Sequence, residues 1–123
     1  MIQSHQNGAI AESIVQTELY RQEYPVSVPA SEEAYDLIAD VDGELLKVQV
    51  KSMFTRERNG TTRYRAELRP TSEGGYSEHD VDAFALVNTD YNQVYWLWFD
   101  EAPTTEASRK LDSWQKHCLH RKI

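Results

Sequence analysis

Apolar residues recur through residues 9–24 at Ile10, Ala11, Ile14, Val15 and Leu19, one half of the 3.6-residue wheel, and Pro25 stops the run. This predicts an amphipathic helix with Asn7 as its N-cap. Glu18 falls within the apolar arc and has no evident role. The period then changes. Val26-Ser27-Val28 reads as a short strand and residues 34–41 as another, Asp42-Gly43 is a favoured two-residue hairpin signal, and residues 44–54 continue as a longer strand. A looser turn at Asn59-Gly60 leads into residues 62–69, which alternate. Residues 82–88 and 93–99 are almost continuously apolar, the pattern of strands covered on both faces. From Ala107 onward, Leu111, Trp114, Cys118 and Leu119 stand at helical spacing and predict a C-terminal amphipathic helix. The order predicts an α/β fold, one mixed sheet of about six strands flanked by an N-terminal and a C-terminal helix.

At 123 residues and 14.2 kDa the chain is expected to be one domain spanning 1–123, since a core of this size does not divide. No apolar run approaches the roughly 20 residues of a bilayer span, and the first residues carry neither a basic region nor an apolar stretch. A soluble, cytoplasmic protein with no membrane partner is expected. The single Cys118 cannot form an intramolecular disulfide. The run His117-Cys118-x-His120 lacks the second ligand pair that a structural zinc needs.

The formal net charge of -7 argues against a polyanionic partner, but its distribution argues for one. Residues 1–46 hold nine acids and one base, and residues 70–106 hold eight acids and no base. Between them, Lys47, Lys51, Arg56, Arg58, Arg63, Arg65 and Arg69 face only Glu57 and Glu67; residues 107–123 add five bases against Asp112. Screening confines each patch's field to about 8–10 Å, so a net-acidic chain can still present a positive face. A merely solvated charged hairpin fits the pattern equally well.

If Asp42 and Gly43 are the two turn residues, Val41 opposes Glu44 and Asp36 opposes Gln49. Side chains alternate across a sheet, so Asp36, Ile38 and Asp40 share a face with Leu45, Lys47, Gln49 and Lys51. Leu37, Ala39, Val41, Leu46, Val48 and Val50 form the wholly apolar opposite face. A carboxylate, an amide and an ammonium among valines and leucines cost free energy unless they satisfy one another or a bound group. An Asp36–Lys51 ion pair at a half-exposed edge is one solution.

Metal-dependent attack on a phosphodiester is the other. Magnesium takes hard oxygen ligands and retains waters, with manganese an expected substitute. Asp36 offers a carboxylate, Gln49 a neutral carbonyl oxygen and Val50 its backbone carbonyl, while Lys51 can orient the attacking water or steady charge on phosphate oxygens. Glu12, at the border of the helix's apolar face, could reach the same ion; by itself it reads more simply as an exposed helix glutamate.

These residues, in this order, resemble the PD-(D/E)xK nuclease superfamily, and within it the small homing endonucleases associated with group I introns. The matching elements are Gly8-x-x-x-Glu12, Tyr35-Asp36 where Pro-Asp is usual, and Gln49-Val50-Lys51-Ser52, in which Gln49 replaces the usual acid. Tyr76-x5-Asp82-Ala83-Phe84-Ala85-Leu86 and the run from Val94 to Glu101 are similar to the family's closing strands. The resemblance implies a restriction-endonuclease-like core, Glu12, Asp36 and Gln49 at a metal site, Lys51 as catalytic lysine, and cleavage of double-stranded DNA at specific sites. Gln49 removes one negative charge and should weaken magnesium binding.

The basic block follows Lys51 directly, so Lys47, Ser52, Arg56, Arg58, Arg63, Arg65 and Arg69 are the expected DNA contacts, a two-stranded ribbon being able to enter a major groove. Whether Arg63, Arg65 and Arg69 share the metal side depends on the Asn59-Gly60 turn. Cutting both strands of a long site requires a homo-oligomer, a dimer or tetramer. The Leu111, Trp114, Cys118, Leu119 stripe either makes that contact or, more simply, packs on its own domain. Trp96 and Trp98, with Tyr95 and Phe99, read as core rather than as base-stacking groups. A Holliday-junction resolvase and a non-catalytic DNA-binding module are the alternative functions.

Overall fold

The computed structural model describes residues 2–68 and 77–119, with side chains from residue 6 onward. Arg69, Tyr76 and His120 lie outside the described residues. The chain opens with helix α1 (Ile2–Arg21) and continues through strands β1 (Val26–Ser27), β2 (Leu37–Val41), β3 (Glu44–Ser52), β4 (Phe54–Arg58), β5 (Thr61–Glu67), β6 (Ala83–Asn88), β7 (Gln93–Trp98) and β8 (Glu106–Lys110), and ends in a short helix α2 (Leu111–Trp114) with one further 3-10 turn.

Five strands form a mixed central sheet in the order β1-β2-β3-β6-β7, in which only β3 and β6 run parallel. As expected, the architecture is α/β with terminal helices; the structure adds a separate antiparallel sheet, β4-β5-β8. The long strand expected over residues 44–54 divides at Met53. This residue is buried, and its amide still donates to the Val87 carbonyl at 2.9 Å, so the backbone leaves the central sheet there and enters the second one.

Helix α1 begins earlier than the sequence suggested, so Asn7 lies inside it rather than capping it. It also ends earlier. Glu23 takes a left-handed φ of 66°, the Tyr24 amide donates to the Leu19 carbonyl at 3.0 Å, and the Glu23 amide donates to Tyr20 at 2.9 Å. That is a Schellman closure, which satisfies the last carbonyls without a glycine.

The tail differs more. Residues 106–110, expected to enter a helix, pair with β5 instead, with Ala107 opposite Ala66 and Ser108 opposite Arg65. Ala107 is the one buried residue of this segment, and only Leu111–Trp114 remains α-helical. Trp114, Cys118 and Leu119 are buried within the chain, so the apolar stripe is part of its own core.

The core has two halves, one on each side of the central sheet. Ala11, Val15 and Leu19 of α1 pack on Leu37, Ala39, Val48, Ala85 and Trp96. On the opposite side Phe84, Leu86, Tyr95 and Leu97 meet Ala66, Ala107, Trp114 and Cys118 of the second sheet and tail. Tyr95 and Trp96 are fully buried, as the apolar run in β7 requires. Among the described residues no helix is long and apolar enough to cross a membrane.

Candidate active site

The site is built on the β2–β3 hairpin. Asp42 and Gly43 both take positive φ, 54° and 92°, the conformation whose twist suits a two-residue hairpin. The Gly43 amide donates to Oδ1 of Asp40 at 2.9 Å, which braces the turn. Pairing runs from Val41 opposite Glu44 to Leu37 opposite Val48, as the turn residues implied. One step further, the Asp36 amide donates to the Val48 carbonyl at 2.9 Å. Asp36 thus lies just outside the ladder, bonded to Val48 rather than paired with Gln49 as the turn residues implied, and beyond Ile38, the last residue of β2 that pairs with β1.

Asp36 is anchored twice. Besides its own amide, its Oδ2 accepts from the Val50 amide at 2.9 Å, so the carboxylate is aimed before anything binds. Half-burial lifts its pKa above the usual aspartate value; the Val50 hydrogen bond and the nearby Lys51 ammonium pull it back only in part. Glu12 of α1 is likewise raised, first by burial and then by repulsion from Asp36. The helix glutamate therefore stands within electrostatic reach of the hairpin aspartate. Neighbouring carboxylates that resist ionisation in this way are relieved by a cation placed between them.

Gln49 carries the most telling feature of the site. Its Oε1 is buried and accepts no hydrogen bond from the described residues. A buried carbonyl oxygen without a donor is costly, and it is the kind of hard, neutral oxygen that a magnesium or manganese ion takes as a ligand. Among the described residues no three His, Cys, Asp or Glu side chains converge on a possible metal position. Glu12, Asp36 and the Gln49 amide oxygen thus supply two carboxylates and one neutral oxygen, a donor set that fits a hard divalent cation with waters completing its shell. Lys51 follows two residues after Gln49 on the same face of β3 and lowers the Asp36 pKa by its charge.

The remaining expected contacts fall elsewhere. The Lys47 ammonium donates to the His79 carbonyl and sits 5.9 Å from the Tyr35 ring centroid, so it is engaged within the chain. The Lys47 backbone exchanges two hydrogen bonds of 2.8 Å with Asp82, one to its side chain and one from its amide; Asp82 therefore clips β3 to the start of β6. Ser52 ends β3 on the face opposite Lys51, beside Val87 of β6.

Asn59 and Gly60 take φ of 53° and 77° and form a tight two-residue turn rather than a looser one. Arg58 opposes Thr61, Arg56 opposes Arg63, and Phe54 opposes Arg65. The register settles the alternation: these arginines share one face of the second sheet, and Tyr64 and Ala66 turn to its other face. Arg65 is committed to Glu106 by a 2.6 Å ion pair and stacks over Phe54 at 4.5 Å. Arg63 donates to Ser108 through Nε at 3.0 Å and through Nη2 at 2.7 Å.

Sequence reasoning missed the Val50 amide as the clamp on Asp36, because a backbone donor leaves no trace in residue type. It also missed Ser108, which holds the Arg63 guanidinium and lies in the strand mistaken for helix.

No curated protein sequence matches the chain. A solved structure of a bacterial homing endonuclease, I-Ssp6803I, superposes with a TM-score of 0.72 at 26% identity, covering 92% of this chain and 84% of that one. The sequence matches the model of the PD-(D/E)XK endonucleases over residues 2–122. With that match spanning nearly its whole length and the fold agreeing, the chain belongs to the PD-(D/E)XK endonuclease family.

Proposed function

We propose that this protein is a cytoplasmic, single-domain, divalent-metal-dependent endonuclease that cuts double-stranded DNA at specific sites, as a homing-type enzyme acting as a homo-oligomer. The observation that carries the reading is the buried, partnerless Gln49 Oε1, held beside a twice-anchored Asp36 and two residues before Lys51. The bacterial homing endonuclease with which the chain shares its fold supports the choice of substrate.

In this reading Glu12, Asp36, Gln49 and the Val50 carbonyl would hold a magnesium or manganese ion, which would supply a Lewis acid for the scissile phosphate and for activating water. The chain's own groups do the rest. The Val50 amide keeps Asp36 from rotating away, so one carboxylate oxygen is presented outward. The Lys51 ammonium favours loss of a proton from the attacking water and stabilises charge that grows on the phosphate oxygens. The neutral Gln49 leaves the site less negative than a third carboxylate would, which eases approach of the anionic backbone while weakening the hold on the ion.

The test is incubation of the purified protein with long duplex DNA and magnesium or manganese. Discrete fragments that disappear with chelator are expected. Binding without cleavage in either metal would show a non-catalytic module instead, and preferential cutting of four-way junctions over linear duplex would show a resolvase.

A further inference from the structure

The second sheet places three cations abreast. Arg56 of β4 is opposite Arg63 of β5, and Arg63 is opposite Lys110 of β8. Partners in register share a face, and neighbouring strands lie about 4.7–4.9 Å apart, so three positive side chains line one rung roughly 10 Å wide. Like charges directly opposite one another destabilise a sheet. Arg58 prolongs the patch one pair further along β4, opposite Thr61. Among the described residues neither Arg56, Arg58 nor Lys110 makes an ion pair, whereas Arg65, in the next like-facing pair, is neutralised by Glu106. The sheet therefore has an acidic end, where Arg65 meets Glu106 and Glu67 lies opposite Glu106, and an uncompensated cationic end at Arg56, Arg63 and Lys110.

Arg63 is not free to swing clear of its neighbours. Two hydrogen bonds to Ser108 of β8 lay its guanidinium across the sheet, toward the strand that carries Lys110. All five residues of β4 are exposed, as is Lys110, while Arg63 between them is half-buried, so the rung is open to a large ligand at both flanks.

We propose that the Arg56–Arg63–Lys110 rung is a phosphate-backbone contact for the nucleic-acid duplex, with Lys110 of β8 as a member that the basic block of residues 47–69 does not contain. The inference rests on the proposed DNA-cleaving function and adds to it the part of the surface that grips the polyanion, the fixed member of that grip and the cation supplied from the tail. A polyanion releases the repulsion within the rung, and each neutralised phosphate releases counterions. Residues that only position the backbone carry no sequence information, so the rung contributes equally to any duplex.

The experiment compares Arg56→Gln and Lys110→Gln with Lys116→Gln, an exposed lysine of the same tail. Binding to a fixed duplex is measured in chelator, where no cutting occurs, over a range of salt concentrations. Each of the two rung variants should flatten the plot of log affinity against log salt by about 0.9, equally for target and unrelated duplex, while Lys116→Gln keeps the wild-type slope. Without DNA, both rung variants should melt higher than wild type at low salt, with the gap closing as salt is added; a merely structural role would lower the melting temperature instead. Wild-type slopes in both rung variants, with wild-type binding and cleavage intact, would overturn the rung alone. Absence of duplex binding by the wild-type protein would overturn the rung and the DNA-cleaving function together.

Discussion

The Val50 amide donates to Oδ2 of Asp36 across 2.9 Å, tying the hairpin's outer strand to its inner one by a side chain where the backbone ladder is ending. One carboxylate oxygen is thereby committed to the fold, and the orientation of the group is fixed. The bond holds Asp36 in place even though burial disfavours its ionised form.

The raised pKa values carry a stability consequence with a definite sign. The folded-state values of Asp36 and Glu12 lie above their ordinary 3.8 and 4.5. The folded chain therefore keeps protons that the unfolded chain has released. The associated stabilisation is full below the ordinary values and is lost as pH rises through the folded-state ones. Asp36→Asn keeps an acceptor for the Val50 amide and removes both the buried charge and the repulsion on Glu12. In chelator it should melt higher than wild type at neutral pH, and the two curves should converge in acid below about pH 4. Calorimetry across this range checks it, and a variant less stable than wild type at pH 7 would contradict the account.

Gln49→Glu supplies the third negative charge that the site lacks. Divalent-ion affinity follows the charge count of the ligands, so the dissociation constant for manganese should fall by about tenfold or more at neutral pH, read by calorimetric titration without DNA. Gln49→Ala should weaken binding. Equal affinity in all three proteins would remove Gln49 from the metal site.

Lys51→Ala should reduce single-turnover cleavage by about a hundredfold or more, the scale of losing one preorganised electrostatic group, with duplex affinity in chelator changed little. The expected signature is a loss in rate at saturating protein. Loss of affinity with an unchanged rate would make Lys51 a binding residue.

Trp114 is fully buried, stacks against Tyr95 with ring centroids 5.5 Å apart, and donates its indole N–H to the Tyr64 carbonyl at 2.9 Å. It joins the tail to the second sheet and both to β7. Trp114→Ala should cost about 3–5 kcal/mol, measured by denaturant unfolding, and should speed amide exchange in β5 and β8 ahead of the central sheet.

The hairpin at Asp42-Gly43 was legible because its two residues specify both a turn type and a loop length, and loop length sets register; the ladder from Val41–Glu44 to Leu37–Val48 followed from that alone, whereas Asp36, expected opposite Gln49, sits one step outside it and bonds to Val48 and Val50. The apolar runs of β6 and β7 were legible for a similar reason: a strand covered on both faces has no polar side to disguise it. Glu12 was not placed by its own pattern, since the helix wheel set it at a border, and only packing of α1 on the sheet brought it within reach of Asp36. Gln49 could be read as an oxygen donor, but its lack of a partner belongs to the folded chain.

The tail shows the boundary most clearly. Helical spacing at Leu111, Trp114, Cys118 and Leu119 described the sequence correctly, yet the preceding residues 106–110 joined β5, because an open strand edge offered a full ladder of backbone hydrogen bonds that local periodicity does not register. Local patterning by itself determined the turns, the buried strands and the face that each side chain takes, since these depend on neighbours two to four residues away. Tertiary structure decided which distant segments share a sheet, which carboxylates repel and which cations stand abreast, since those outcomes depend on where burial and backbone pairing bring residues together across the whole chain.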